Sequence, residues 1–197
     1  MKTKQILSCV PFMFVLVTGC TWDTSSPINP ISPLWPTTTS MKHGVYGAQA
    51  NGEIIQEMMT LDKAEIASAN VARQRAQNPE VKRYAAMLHT QHSKCLHKLR
   101  HLSHRAKITP VISTGSQYLE QHSKQELAQL QSVPSNAFDR TYIEHMIQDH
   151  RTALSTIDQG ILQSSNAHLT KLLKEARHHV AMHLQKAEAI QKHLMHS

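Results

Sequence analysis

Four metal-competent side chains interrupt the apolar faces of four helical stretches: Glu65, His92, His150 and His183. The clearest case lies in the run Tyr142-Ile143-Glu144-His145-Met146-Ile147-Gln148-Asp149-His150 and its continuation. Ile143, Met146, Ile147, Leu154, Ile157 and Ile161 fall at the three- and four-residue spacings of one buried stripe. His150 stands inside that stripe, four residues after Met146 and four before Leu154. Three imidazoles and a carboxylate that met in a core would form a four-ligand set for zinc, copper, iron or manganese. Lysine or arginine would not serve, because a ligand must offer a free lone pair. The same four groups could instead form a metal-free polar layer, with Glu65 accepting hydrogen bonds or an ion pair from the histidines. Composition leaves both readings open.

Neighbouring groups could support or complete such a site. Gln91 precedes His92, Asp149 precedes His150, and His179 lies four residues before His183. Each points mostly off the inner stripe, which favours solvent or support of a ligand over direct ligation. His97, His101 and His104 follow helical spacing on what reads as an outer, solvated face.

The elements that must position these residues are all helical. The first is expected over residues 52–77, with Ile54, Met58, Leu61, Glu65, Ala69, Ala72 and Ala76 inward. Asn78-Pro79 ends it and starts the second, which carries Val81, Tyr84, Leu88, His92, Cys95, Leu99 and Leu102 and fades by Ala106. A long connection over 107–136 contains a short helical stretch at 117–131. The His150 helix should begin at Asn136 as cap, with Asp139 in its first turn, and end within 160–165. The last, from about Asn166, carries Leu169, Leu172, Ala176, Val180, His183, Ala187, Ile190 and Leu194. Four helices paired by two short connections and joined by one long one read as an all-α, ferritin-like four-helix bundle, with an extra short helix in the central connection.

Depth along the helices tests whether the four residues can meet. Glu65 lies thirteen residues before Asn78 and His92 fourteen after it. At about 1.5 Å per residue, both stand roughly 20 Å from that turn. His150 and His183 match about Ser165 to within a helical turn. Whether the two pairs share one level depends on how the long connection sets one hairpin against the other.

The 197 residues suffice for one sizeable core, and six Gly and three Phe favour helices over a β-rich fold. The formal charge of +7 falls to about +5 without Lys2 and Lys4, is spread along the helices and accompanies no nucleic-acid-binding motif, so no nucleic-acid partner is expected. Fifteen histidines are the compositional outlier, and they make net charge rise steeply below about pH 6.

Lys2, Lys4 and the apolar run 6–17 have the form of a signal segment, too short to span a bilayer stably. Val17-Thr18-Gly19-Cys20 resembles a bacterial lipobox, which would make residues 1–19 the signal peptide and Cys20 the lipidated first residue. The alternative is an ordinary secretory signal with a chance cysteine. Pro27, Pro30, Pro33 and Pro36 mark residues 20–46 as a tether, followed by the helical domain over 47–197. The membrane is then a partner through the lipid. By resemblance to enteric lipoproteins, Thr21 rather than Asp is compatible with anchoring in the outer membrane, facing the periplasm. Cys9 leaves with the signal, so Cys95 has no disulfide partner and reads as a buried, inert thiol.

Several segments together resemble a family. Ala64-Glu65-Ile66, Asn78-Pro79-Glu80-Val81-Lys82 and residues 87–92 are similar to the first hairpin of the bacterial exported family called domain of unknown function 4142. Phe138-Asp139-Arg140-Thr141-Tyr142 through His150 resembles its most distinctive segment, and His183-Leu184 its C-terminal histidine. The resemblance covers about residues 50–194 and implies a ferritin-like bundle, often periplasmic or in the outer membrane, with no assigned role. Gln91 departs from it, since the family commonly has Asp there. The Glu-x-x-His pairs of di-iron ferritins are also missing, with His89, Ile147 and Val180 at the required positions.

The sequence thus predicts a lipid-anchored envelope bundle with one transition metal on Glu65, His92, His150 and His183, for buffering or sensing. With four protein ligands, catalysis is not expected. The competing expectation is a non-catalytic structural lipoprotein that docks an envelope protein and holds a metal-free, pH-sensitive His/Glu layer.

Overall fold

The computed structural model describes residues 38–196, with side chains from residue 46 onward. The signal segment, Cys20 and the tether to residue 37 lie outside the described residues. All regular structure among the described residues is helical: α1 (Thr38–Arg75), α2 (Pro79–Ala106), α3 (Thr114–Ser132), α4 (Ser135–Gln163) and α5 (Ala167–Met195). The all-α expectation is met.

Two tight turns fold the long helices into hairpins, α1 with α2 and α4 with α5, and α3 packs mainly along α1. At the first turn, the Asn78 side chain accepts from Glu80 N at 2.7 Å, with Pro79 occupying the first helical position, where its missing N–H costs nothing. At the second, the Asn166 side chain accepts from His168 N and Leu169 N, each at 3.0 Å.

Three boundaries differ from expectation. Helix α1 starts at Thr38, so residues 38–46, assigned above to the tether, are helical. Pro36 is the last proline before α2, and nothing after it forbids helix. Asn51 fastens this helix to the far turn, accepting from Ser165 N at 3.1 Å and donating to Ser165 Oγ at 2.9 Å. Helix α4 starts at Ser135, with Pro134 rather than Asn136 preceding it and no side-chain cap. Asp139 serves another helix pair: its Oδ2 accepts from Asn78 N at 2.7 Å and from Gln77 N at 3.1 Å. One carboxylate therefore ties the start of α4 to the α1–α2 turn.

Helix α3 is held at both ends by α1. At its start, Ser113 forms a capping box with Ser116 and donates its hydroxyl to Glu57 Oε1 at 2.7 Å. At its end, the Arg75 guanidinium donates to the carbonyls of Leu130, Gln131 and Val133 and lies 4.8 Å from the Phe138 ring centroid.

The core is in two parts. Near the α1–α2 turn, Ala69, Ala72 and Ala76 leave room for Tyr84, Phe138 and Tyr142 in one buried cluster. Toward the other end, Ile54, Ile55, Met58, Leu99, Ile157 and Leu173 belong to the second. On each of the four long helices a buried carboxylate or imidazole falls between these clusters: Asp62 and Glu65 on α1, His92 on α2, His150 on α4, His183 on α5. A polar layer divides two apolar ones.

Candidate metal centre

Burying five titratable side chains at one level costs several kcal/mol unless each finds a partner. In this layer each imidazole finds one partner and leaves its second nitrogen bare. His92 Nδ1 donates to Asp62 Oδ1 at 2.8 Å. His150 Nδ1 donates to the Met146 carbonyl, one turn earlier on its own helix, at 2.6 Å. His183 Nε2 donates to Gln91 Oε1 at 2.8 Å. The remaining nitrogens, His92 Nε2, His150 Nε2 and His183 Nδ1, are buried and without a hydrogen-bond partner.

The rings converge. Centroids of His183 lie 5.3 Å from those of both His92 and His150, and His92 and His150 are 6.0 Å apart. One ligand atom from each of the three lies within 4.8 Å of the others. The two hairpins therefore share a level, which the depth argument had left open.

Glu65 is close but separate from this group. Its Oε1 lies 3.7 Å from His150 Nδ1, the nitrogen already directed at Met146, and its Oε2 has no hydrogen-bond partner. Depth arithmetic set Glu65 opposite His92, whereas packing sets Asp62 there. Asp62 is 2% exposed and was not singled out in the sequence, although it lies one turn before Glu65 and its side chain enters the same layer. Gln91 supports His183 on the neighbouring helix, not His92 beside it. His179 is exposed at the rim, and Asp149 belongs to a different cluster, with His122 and Glu126.

Charge in the layer is unevenly shared. For His92, burial opposes the charged form, but the Asp62 hydrogen bond and the charges of Glu65 and Asp62 outweigh it and raise the imidazole above its usual range. Burial lowers His150, assisted by the charge of His92. Burial, then the charges of His92 and His150, pushes His183 down to about 2. Two of the three rings are thus held neutral, with lone pairs available, across the ordinary pH range. Burial raises Asp62 despite its bond to His92. Cys95 borders the layer, and burial together with Asp62 pushes its thiol well above the usual range, consistent with an inert thiol.

A cavity of about 320 Å³ leads from the histidines to the surface between α2 and α5. Met58, Leu61, Ile157 and Val180 line its apolar wall, and exposed Lys94, Lys98, Glu175 and His179 stand at its rim. His97, His101 and His104 are exposed, as expected.

Comparison with known proteins agrees with the resemblance read from the sequence. The family model for "Domain of unknown function (DUF4142)" matches residues 37–190. The chain belongs to this family. No curated protein matches the DUF4142 chain significantly. Among solved structures it is similar to a DUF305 fragment from Deinococcus radiodurans, with a TM-score of 0.65 at 15% identity, covering 73% of this chain and 96% of that one. A DUF305 protein from Streptomyces coelicolor described as secreted gives a TM-score of 0.62 at 12% identity, covering 73% and 93%. At these identities the DUF4142 chain shares a helical fold with them.

Proposed function

We propose that this DUF4142 protein is a lipid-anchored component of the cell envelope whose ferritin-like bundle binds one transition-metal ion through His92, His150 and His183. The observation that carries the proposal is the pairing pattern of the three rings. Each has one nitrogen fixed by a carboxylate, a backbone carbonyl or an amide, and one bare nitrogen in a shared buried space. Ligating histidines are oriented in this way, because the second hydrogen bond sets both tautomer and ring angle. Two buried carboxylates, Asp62 and Glu65, add negative charge that a divalent ion offsets.

Three imidazoles suit zinc, copper, iron or manganese. The three-histidine group does not include Glu65, whose Oε1 lies beside His150 Nδ1, and the cavity that reaches the histidines would let an ion exchange with solvent. That access supports metal buffering or sensing, and it is also the opening that catalysis at three protein ligands would need. The anchor rests on Val17-Thr18-Gly19-Cys20. Among the described residues no helix is long and apolar enough to cross a membrane.

The competing reading, a metal-free polar network in a structural lipoprotein, draws on the Asp62–His92 and Glu65–His150 contacts, which already have ion-pair spacing. Thermal melting of the full-length protein with and without chelator separates the two. A site filled at about a thousand times its dissociation constant adds about 4 kcal/mol, or on the order of 10 °C in a domain of this size. A polar network follows pH and ignores the chelator.

A further inference from the structure

A second group of ligating side chains lies among α1, α3 and α4, away from the three histidines. His122 and Glu126 are one turn apart on α3, so both project to the same side of that helix. His122 Nδ1 lies 3.3 Å from Glu126 Oε2. Asp149 reaches them from α4, and one ligand atom from each of the three lies within 4.8 Å of the others. We propose that His122, Glu126 and Asp149 form a second divalent-cation site, independent of the three-histidine centre.

Charge balance supports the assignment. The three residues border a cavity of about 100 Å³, large enough for an ion and a few waters. Glu65 lines it as well, making three carboxylates around one small space, and neither Lys nor Arg is among the described residues lining it. Apart from His122, the other polar groups there are hydroxyls and an amide, from Thr60, Ser68, Tyr118, Ser123, Thr152 and Gln148, which can accept but do not neutralise the carboxylates. Glu65, which lines this space as well as the histidine cavity, is 7% exposed, and its Oε2 is a buried acceptor with no hydrogen-bond partner.

The site is also built on fixed elements. Ser113–Glu57 at one end and the Arg75 clamp at the other hold α3 against α1, which sets the height of His122 and Glu126 relative to Asp149. The donor set differs from the first. One imidazole with two or three carboxylates is harder than three imidazoles and suits Mn²⁺, Fe²⁺ or Zn²⁺ over Cu⁺. His122 and Glu126 are part-exposed, so the ion can enter directly from solvent. Glu65 lies beside both cavities, yet the two groups of three share no ligand.

Mn²⁺ is the probe, because its free-ion electron paramagnetic resonance signal disappears on binding. The full-length protein in mild detergent is compared with His122→Asn/Glu126→Gln and with His92→Gln/His150→Gln/His183→Gln. The α3 variant should lose one Mn²⁺ equivalent or bind it at least about tenfold more weakly, and the three-histidine variant should keep that equivalent even where it loses another at the first centre. An α3 variant that binds as many Mn²⁺ equivalents as the parent, with the same affinities, overturns the proposal. So does loss of every Mn²⁺ equivalent in the three-histidine variant. Should a variant fail to fold, pulsed resonance of the parent needs none: a Mn²⁺ population coupled to a single imidazole nitrogen is expected, and its absence refutes the assignment.

Discussion

Asp62 Oδ1 accepts from His92 Nδ1 at 2.8 Å and leaves His92 Nε2 as a buried nitrogen with no partner. A carboxylate behind an imidazole raises its basicity and fixes which nitrogen keeps the lone pair. Asp62→Ala should therefore weaken metal binding by about 10–100-fold while leaving the helices intact. Competition titration against a chromophoric chelator, with circular dichroism beside it, checks both halves. Unchanged affinity would remove Asp62 from the account.

Gln91 offers a second handle on the same centre. Its amide oxygen accepts from His183 Nε2 at 2.8 Å. Gln91→Asp, which places the commoner family residue there, shortens the side chain but supplies a charged acceptor. Gln91→Leu removes the acceptor and should cost about tenfold or more in affinity. Metal titration of both variants separates reach from charge, and Gln91→Asp is expected to lose less than Gln91→Leu.

Acid should destabilise the metal-free protein through His150 and His183. Both have folded-state pKa values below the unfolded value of about 6.5. Protonation therefore favours the unfolded chain. The stability these groups contribute is present above about pH 6.5 and is lost as pH falls toward the folded values, near 2 for His183. At pH 4 the His183 share is on the order of 3 kcal/mol. His92, raised in the fold, acts in the opposite direction and loses its contribution as pH rises through its folded value. Burial raises Asp62 and Asp149, so acid favours the fold through those two groups. The His183 contribution is therefore read as a difference: the stability of the parent relative to His183→Gln, from urea midpoints in chelator, should fall as pH goes from 7.5 to 4.

Asp139→Ala tests the fastening of the two hairpins. It removes the acceptor of the Gln77 and Asn78 N–H groups, with charge-assisted bonds of 3.1 and 2.7 Å. The expected loss is about 1–2 kcal/mol, or roughly 2–8 °C in melting temperature. Metal stoichiometry should not change, because the substitution is distant from the histidine layer along α4.

What the sequence disclosed follows from how each residue signals itself. His92, His150 and His183 stand where a periodic apolar stripe expects leucine, and so they stood out without a structure. Asp62 does not, because the apolar spacing points to its neighbour Leu61 as the inward residue of that turn; Leu61 is part-buried on the cavity wall while Asp62 enters the core. Asp62 and Glu65 lie three residues apart, about 60° around the helix and about 4.5 Å along it, so both enter the layer and packing decides that Asp62 is the one bonded to His92. The cluster of His122, Glu126 and Asp149 was not legible either. Helix α3 has few buried residues, Ser116 and Leu130 among them, so no stripe marked which of its polar residues face inward. The start of α1 was missed because residues 38–46 look like tether, and Asn51 fastens this helix through contacts more than a hundred residues away in sequence.

The central claim is a metal ion on His92, His150 and His183, and the metal content of the purified protein tests it most directly. The full-length chain, produced without an affinity tag, is analysed for zinc, copper, iron and manganese beside His92→Gln/His150→Gln/His183→Gln, with circular dichroism to confirm that the variant is helical. A stoichiometric metal in the parent that the folded variant lacks is the predicted result. A parent that holds no metal, and whose melting does not shift when any of the four ions is added, would contradict it and leave the histidine layer as architecture.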